Sequence, residues 1–318
     1  MSPKRYPIII AGPTASGKTD TALALAKLTD GFIISADSKQ IYKNLAAGTA
    51  APKGIWQNGL YKVEGVNYHL VDFLDISESF DVSKFCAAAQ SIMSSNAKKQ
   101  AVFAGGTGMY LQGYFAGMDA LPKAEPKIRL ELKELAEKYG KEYLHKRLGE
   151  VDPKSAEQIP SGNIQRITRA LEIFMITSRP ASSLRSGKFK AEIPSDKAKL
   201  FYLNWDKEIL NERIVSRAQN IFGPMLEEAK RALEAGYAQD AAGLKSLGYG
   251  EAIAYLKGDM TRAQALERII ILTRQYAKRQ RTWFSRYKNM IKIDLKRRDD
   301  FNSARLAEFI CEEKPKTL

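Results

Sequence analysis

Over residues 1–110, short apolar runs alternate with helical patterns, the arrangement of an α/β protein. Ile8-Ile9-Ile10-Ala11 is β-branched and apolar, which predicts a buried strand. A Gly-rich turn and an Ala/Leu helix over about 18–28 follow. Phe32-Ile33-Ile34-Ser35 predicts the second strand, ending at Ala36-Asp37. A helix is expected over about 82–99, and Ala101-Val102-Phe103-Ala104 predicts the third strand, ending in Gly105-Gly106-Thr107-Gly108. Residues 53–68, with Gly54, Asn58, Gly59 and Gly65, read as a loop or small hairpin.

From about Pro122 the pattern changes to Lys/Glu/Leu-rich helical periodicity over 126–149, with another amphipathic helix over 163–176. Ser178 to Pro194 is Ser/Pro/Lys-rich and predicts a flexible return. Leu200-Phe201-Tyr202-Leu203 resumes strand character, and Asp206 is placed to cap a helix running to about Phe222. Everything after Pro224 reads helical, including a long helix opened by the capping-box sequence Thr261-Arg262-Ala263-Gln264. These shifts predict a first core part over 1–121, a helical insertion over 122–190, and a second core part with a helical C-terminal region over 191–318.

Composition narrows the class. The 318 residues are 44% hydrophobic and 27% charged, which suits a globular chain and excludes disorder or a disulfide scaffold. No apolar run approaches the ~18 residues of a membrane span. The short charged start runs into a Gly-rich loop where a signal peptide would need its cleavage site, so secretion is not expected. Cys86 and Cys311, with no CxxC pair, read as free thiols of a cytoplasmic protein. His69 and His145 alone supply too few ligands for zinc. The net charge is +14. Arg262–Arg298 holds twelve Lys/Arg against Glu267 and Asp294, which concentrates the excess near the C-terminus and favours a polyanionic partner. Arg274, Lys278 and Arg281 are expected along one face of the long helix. Trp283, Phe284 and Tyr287 could stack on bases, but their spacing favours core packing.

Gly12-Pro13-Thr14-Ala15-Ser16-Gly17-Lys18-Thr19 matches G-x-x-x-x-G-K-[ST] between a strand and a helix, the context of a phosphate-binding P-loop. Backbone amides and a helix N-terminus wrap the phosphates, Lys18 adds a mobile charge, and Thr19 offers its hydroxyl to Mg²⁺. An NTPase usually carries an acid at the end of a later strand to organise Mg²⁺. Here the third strand ends without one, and the carboxylate instead follows the second strand as Asp37. Strand C-termini face the ligand crevice in such sheets, so Asp37 and Thr107 should overlook the P-loop. Asp37 is equally suited to cap a helix. Arg213 and Arg217, spaced i,i+4, share a helix face and could clamp a diphosphate, although a bare R-x-x-x-R more often marks a solvated face.

Taken together, the chain resembles the bacterial tRNA dimethylallyltransferases (tRNA isopentenyltransferases) over nearly its full length. The matching stretches are GPTASGKT (12–19), SADSKQIY (35–42), GTAAP (48–52), HLVD (69–72) and AGGTGMYLQ (104–112). They continue with EPKIR (125–129), QRITRALEIF (165–174), RIVSR (213–217), SLGYGE (246–251) and TRQYAKRQRTWF (273–284). Ten motifs in family order make the resemblance specific. It implies a P-loop NTPase-like parallel sheet core with a helical insertion domain that closes on the anticodon stem-loop of tRNA, with Mg²⁺ as cofactor. The implied reaction transfers a dimethylallyl group from dimethylallyl diphosphate to N6 of the adenosine just 3′ of the anticodon. A monomer is implied as well.

Carried over position by position, Gly12, Pro13, Thr14, Ala15, Ser16, Gly17, Lys18 and Thr19 would hold the allyl diphosphate, although such a motif is often labelled ATP-binding. Asp37 matches the family's general base, and Asp37, Ser38, Lys39 and Gln40 its contact segment for the target base. Thr107 and Arg129 match positions that touch tRNA. Gln165, Arg166, Ile167, Thr168 and Arg169 match segments lining the RNA channel, as do Lys245, Gly248, Tyr249 and Gly250. Lys278, Arg279, Gln280 and Arg281 belong to a third such segment, and Arg217 matches the diphosphate-contacting arginine. The resemblance departs at Ala51, where the family's GTAKP has lysine, and at Gly250, where GYK or GYR is usual. Each departure removes a cation near the substrate.

Three other classes fit parts of this pattern. A P-loop kinase leaves the missing strand-end acid, the insertion and the basic tail unexplained. An adenylate isopentenyltransferase, with AMP as acceptor, needs no extended cationic track. A non-catalytic RNA-binding protein needs neither Gly17-Lys18-Thr19 nor Asp37.

Overall fold

The computed structural model describes residues 6–187 and 192–312. The charged start over 1–5, positions 188–191 of the return segment and residues 313–318 lie outside the described residues. Elements follow in the order β1 (Ile8–Ala11), α1 (Lys18–Leu28), β2 (Phe32–Ser35), α2 (Ala46–Thr49), β3 (Ile55–Gln57), β4 (Leu60–Val63) and β5 (Val66–His69). Next come α3 (Val82–Ser95), β6 (Ala101–Ala104), α4 (Gly108–Phe115), α5 (Pro126–Tyr139), α6 (Lys141–Val151), α7 (Pro153–Gln158), α8 (Ile164–Thr177) and α9 (Ala181–Leu184). The chain continues with β7 (Lys199–Trp205), α10 (Lys207–Glu234), α11 (Tyr249–Leu256), α12 (Arg262–Phe284), β8 (Ile291–Leu295) and α13 (Ser303–Glu312).

The described residues form two compact units, one of residues 6–115 with 192–312 and the other of residues 116–187. The first unit holds an eight-stranded sheet in the order β3-β4-β5-β2-β6-β1-β7-β8. Its strands from β5 through β8 are parallel, and β3-β4-β5 form an antiparallel meander at one edge. Strand alternation feeds two cores: Ile8 and Ile10 pack among α1 and α13 residues, while Ile9 and Ala11 pack among α3 and α4 residues. Burial on both faces explains why β1 and β6 are apolar throughout, and β2 up to its last residue, Ser35.

Both expected caps form. Asp206 Oδ1 accepts from the amides of Glu208 and Ile209 at 3.0 and 3.2 Å. Thr261 and Gln264 exchange the reciprocal bonds of a capping box.

Two expectations are corrected. The helix after Asp206 does not stop at Phe222 but runs unbroken through Pro224 to Glu234. The buried stripe of Phe222, Met225 and Ala229 continues across the proline and offsets its missing N–H. The region beyond Pro224 is also not all helical, because Ile291–Leu295 forms β8, paired parallel with β7. The Ile-Lys-Ile-Asp-Leu alternation is strand-like, but it lies inside the basic run that carried the helical reading.

The second unit is helical around Leu132, Leu144, Leu148, Ile167 and Leu171. The helical stretch over 126–149 is broken at Gly140 (φ 86°), a left-handed position between α5 and α6. Within the return segment, α9 is a single short turn of helix.

Candidate active site

The C-terminal ends of β1, β2 and β6 open on one crevice, a cavity of about 1300 Å³ whose walls include Lys18, Asp37, Thr49, Arg217, Tyr276 and Gln280. Residues 12–17 join β1 to α1. Ala15 (φ 63°) and Gly17 (φ 88°) are left-handed on either side of Ser16, the backbone curl that makes anion-binding concavities. Glycine is required at 17, since a Cβ there would lie 2.3 Å from the Phe301 ring.

The loop is held by groups distant in sequence. Arg213 Nε donates to Ala15 O at 2.8 Å, with its guanidinium over the rings of Trp205 and Phe301. Arg217 Nη1 donates to Thr14 Oγ1 at 3.0 Å, and Trp205 Nε1 donates to Ser16 O at 2.9 Å. The Arg213/Arg217 face is therefore not solvated; both side chains grip the P-loop. Lys18 Nζ donates to Pro13 O at 2.7 Å. The buried Ser16 hydroxyl has no hydrogen-bond partner among the described residues. Thr19 lines the cavity next to the buried Tyr68.

Burial sets the electrostatics. It pushes the Lys18 ammonium down to about 8, against the pull of Asp37 and with help from Arg217. It lowers Arg217 from its usual range too, again opposed by Asp37. Three half-buried charged side chains thus line one cavity.

Asp37 caps no helix. Its Oδ1 accepts from the Lys39 amide at 2.9 Å, closing a turn after β2. Ser38 N donates to Thr107 Oγ1 at 3.0 Å, which fastens this turn to the end of β6. Gln40 is buried: its Oε1 accepts from Ser35 Oγ at 3.1 Å and its Nε2 donates to Ala50 O at 3.0 Å. Lys39 Nζ reaches Ala242 O at 3.4 Å.

The remaining expected residues divide by environment. Lys245 is ion-paired with Asp240 at 3.6 Å. Gly248 (φ 97°) starts α11, and Gly250 lies on the cavity wall with open space where a Cβ would sit. Tyr249 is buried, and its hydroxyl donates to Glu228 Oε2 at 2.6 Å. Glu228 also accepts from the amides of Ala47 and Gly48 at 2.8 and 3.0 Å, so it supports the GTAAP wall. On α12, Arg274, Lys278 and Arg279 are exposed, whereas Arg281 turns inward and donates to Trp205 O. Arg281 therefore does not share the exposed face expected for it, because a carbonyl at the end of β7 takes up its guanidinium. Gln280 is buried against the P-loop. Phe284 and Tyr287 are core residues, as their spacing suggested.

In the helical unit, Gln165 and Arg166 are exposed, Thr168 is half-buried, and Ile167 belongs to the core. Arg129 and Arg169 converge on the buried carboxylate of Glu172, at 2.8 and 2.6 Å.

Sequence reasoning missed Tyr68, Tyr276 and Glu228. The Tyr276 phenol lies on the cavity wall near Thr107 and Gln280, and burial pushes its pKa up. Tyr68 sits in a strand alternation and Tyr276 in a helical stripe, patterns that signal burial and nothing more. No helix among the described residues is long and apolar enough to cross a membrane.

The chain is similar to known proteins in sequence and in fold. The sequence model of the family described as IPP transferase matches residues 40–287, and that described as isopentenyl transferase matches residues 7–63. The tRNA dimethylallyltransferase of Elusimicrobium minutum is 56% identical over 289 residues, covering 90% of this chain and 94% of that protein. That of Myxococcus xanthus is 40% identical, covering 87% and 88%. Among solved structures, the tRNA isopentenylpyrophosphate transferase of Bacillus halodurans superposes with a TM-score of 0.65 at 31% identity, covering 97% of this chain and 96% of that one. A eukaryotic dimethylallyltransferase acting on tRNA gives a TM-score of 0.73 at 22% identity, covering 98% and 81%, a likeness of fold alone. Matched along most of its length by family and relatives alike, the chain belongs to the IPP transferase family, is of the bacterial tRNA dimethylallyltransferase type, and is a prenyl-transferring enzyme.

Proposed function

We propose that the enzyme transfers the dimethylallyl group of dimethylallyl diphosphate to N6 of the adenosine 3′ of the anticodon in tRNA, yielding N6-isopentenyladenosine and diphosphate. The observation that carries this reading is the meeting of Lys18 of the P-loop, Arg217 of α10 braced on that loop, and the carboxylate of Asp37 around one cavity. The names of the relatives support the same donor and acceptor.

The chemistry divides between those groups. The exocyclic amine is a weak nucleophile because its lone pair is delocalised into the ring. Asp37 accepts the N6 proton as the N6–C1 bond forms. The C1–O bond breaks and diphosphate leaves, its charge met by the P-loop amides, Lys18 and Arg217. The target adenine leaves its loop stack to reach this depth. Exposed Arg274, Lys278 and Arg279 on α12, with Gln165 and Arg166 on α8, supply contacts for the RNA backbone.

The residues also fit Mg²⁺. The donors at the P-loop are hydroxyl oxygens, Thr19 and the partnerless Ser16. Among the described residues no cluster of three or more His, Cys, Asp and Glu forms a metal cage. Mg²⁺ needs none, since it is commonly held by one or two protein oxygens, water and substrate phosphates. Thr19 would hold it, and when bound it would neutralise charge on the leaving diphosphate.

Labelled dimethylallyl diphosphate, offered with an unmodified anticodon stem-loop or with AMP, tests the reading. Label should enter the RNA alone; label in AMP, or ATP hydrolysis without prenyl transfer, would overturn it. Asp37→Ala should bind the stem-loop as well as the wild type while turnover falls on the order of 10²–10⁴-fold. Near-normal turnover would leave Asp37 only its role in the turn.

A further inference from the structure

One buried amide on α12 serves two loops at once. Gln280 is 4% exposed. Its Oε1 accepts from the Thr14 amide at 2.7 Å, and its Nε2 donates to Gly106 O at 3.1 Å. The absence of a side chain at 106 permits this, because a Cβ there would lie 1.9 Å from Gln280 Nε2. Gly106 leads directly into Thr107 at the end of β6. Thr107 in turn accepts from the Ser38 amide at 3.0 Å, next to Asp37. A polar chain thus runs from the Thr14 end of the P-loop, through Gln280 and the Gly106–Thr107 backbone, to the turn that carries Asp37.

The stereochemistry of this chain is specific to an amide. Thr14 presents a donor and Gly106 an acceptor, and a glutamine has one of each to return. To reach an RNA base, Gln280 would leave the half-buried Thr14 N–H and the buried Gly106 C=O without partners, which is costly. Resemblance alone groups Gln280 with the RNA-channel residues, and its exposed neighbours Lys278 and Arg279 fit that grouping. Its own side chain faces the opposite way.

We propose that Gln280 is a positioning residue for the donor: it holds the Thr14 end of the diphosphate loop in register with the Thr107–Ser38–Asp37 segment and makes no contact with RNA. The inference rests on the functional reading above for which substrate occupies which side. Gln280→Met keeps the length of the side chain and removes both bonds. The expected result is a roughly tenfold rise in the KM for dimethylallyl diphosphate and in the Kd for inorganic pyrophosphate, the effect of about one net hydrogen bond. Turnover should fall, and the Kd for the anticodon stem-loop should not move. Weakened stem-loop binding with unchanged donor constants would overturn the proposal. A lowered melting temperature with all constants unchanged would do so too.

Should the variant not fold, hydrogen exchange in the wild-type protein decides the question. The Thr14 amide should be protected and should stay protected when the stem-loop is added; RNA-induced loss of that protection would mean Gln280 has left it. Pyrophosphate binding needs no transfer chemistry. A wild-type protein that failed to prenylate RNA would overturn the functional reading while the pyrophosphate comparison still judged Gln280.

Discussion

Arg217 Nη1 and Thr14 Oγ1 are hydrogen-bonded at 3.0 Å across 203 positions of sequence. The bond ties α10 to the first turn of the P-loop and brings a guanidinium to the wall of the cavity. Arg217→Ala should raise the KM for dimethylallyl diphosphate and lower turnover, since it removes both a charge on the leaving group and a brace on the loop. Arg217→Lys should recover little, because an ammonium lacks the planar fork that bonds Thr14 while presenting further donors to phosphate. Steady-state kinetics at saturating stem-loop separates these effects. A lysine variant with wild-type constants would show that charge alone matters.

On the proposed reading, the Lys18 ammonium should make donor binding depend on pH. Burial, opposed by Asp37 and reinforced by Arg217, brings it down to about 8 in the free protein. Diphosphate favours the charged form, so the bound group titrates higher than the free one. Donor affinity is then fully present below about pH 8 and declines as pH rises through it, towards about tenfold per unit. Lys18→Arg should remove that break, because guanidinium stays charged. A pH series of the KM for dimethylallyl diphosphate measures both; an identical break in the arginine variant would assign it to another group.

Arg274, Lys278 and Arg279 are exposed cations in the C-terminal half of α12, and Arg281 is not one of them. Replacing those three with Gln should weaken stem-loop binding irrespective of stem sequence. The log–log salt slope should flatten by about 0.7–0.9 for each phosphate that is no longer neutralised. Pyrophosphate affinity should hold. Arg281→Gln should instead lower thermal stability, since it strips a donor from Trp205 O. Anisotropy titrations over a range of salt, with melting curves, distinguish the two outcomes.

Glu172 anchors the helical unit. Burial pushes its carboxyl up, but the bonds from Arg129, Arg169 and the Glu125 amide outweigh that and hold it below its ordinary value. Its contribution is therefore present above the unfolded carboxyl range and is lost as pH falls through the folded value. Glu172→Ala should cost about 2 kcal/mol, a moderate figure because the Arg129 side chain is half exposed and regains water. Hydrogen exchange in peptides covering 126–177 should accelerate at neutral pH and show less acid sensitivity than in the wild type. Unaltered exchange would make the cluster incidental.

Local chemistry made much of the protein legible from the chain alone. The apolar runs at 8–11, 32–35 and 101–104 are strands because β-branched segments buried on both faces have few other uses. Gly12 to Thr19 is readable because a diphosphate cradle needs its glycines, lysine and hydroxyl at one spacing. Thr261 and Asp206 announce their helices because capping acts within three residues. The strand at 291–295 carried its alternation in plain view, yet only the open edge of β7 gives it a partner. The open alternatives were settled by contacts between residues far apart in sequence. Asp37 turns onto Lys39 because no helix follows it. Arg213 and Arg217 hold the P-loop because α10 passes beside it, and Arg281 and Gln280 face inward while their neighbours face out. Periodicity reports which face of an element is apolar. It cannot report which buried carbonyl or amide, some two hundred residues away, a polar side chain on that element will meet.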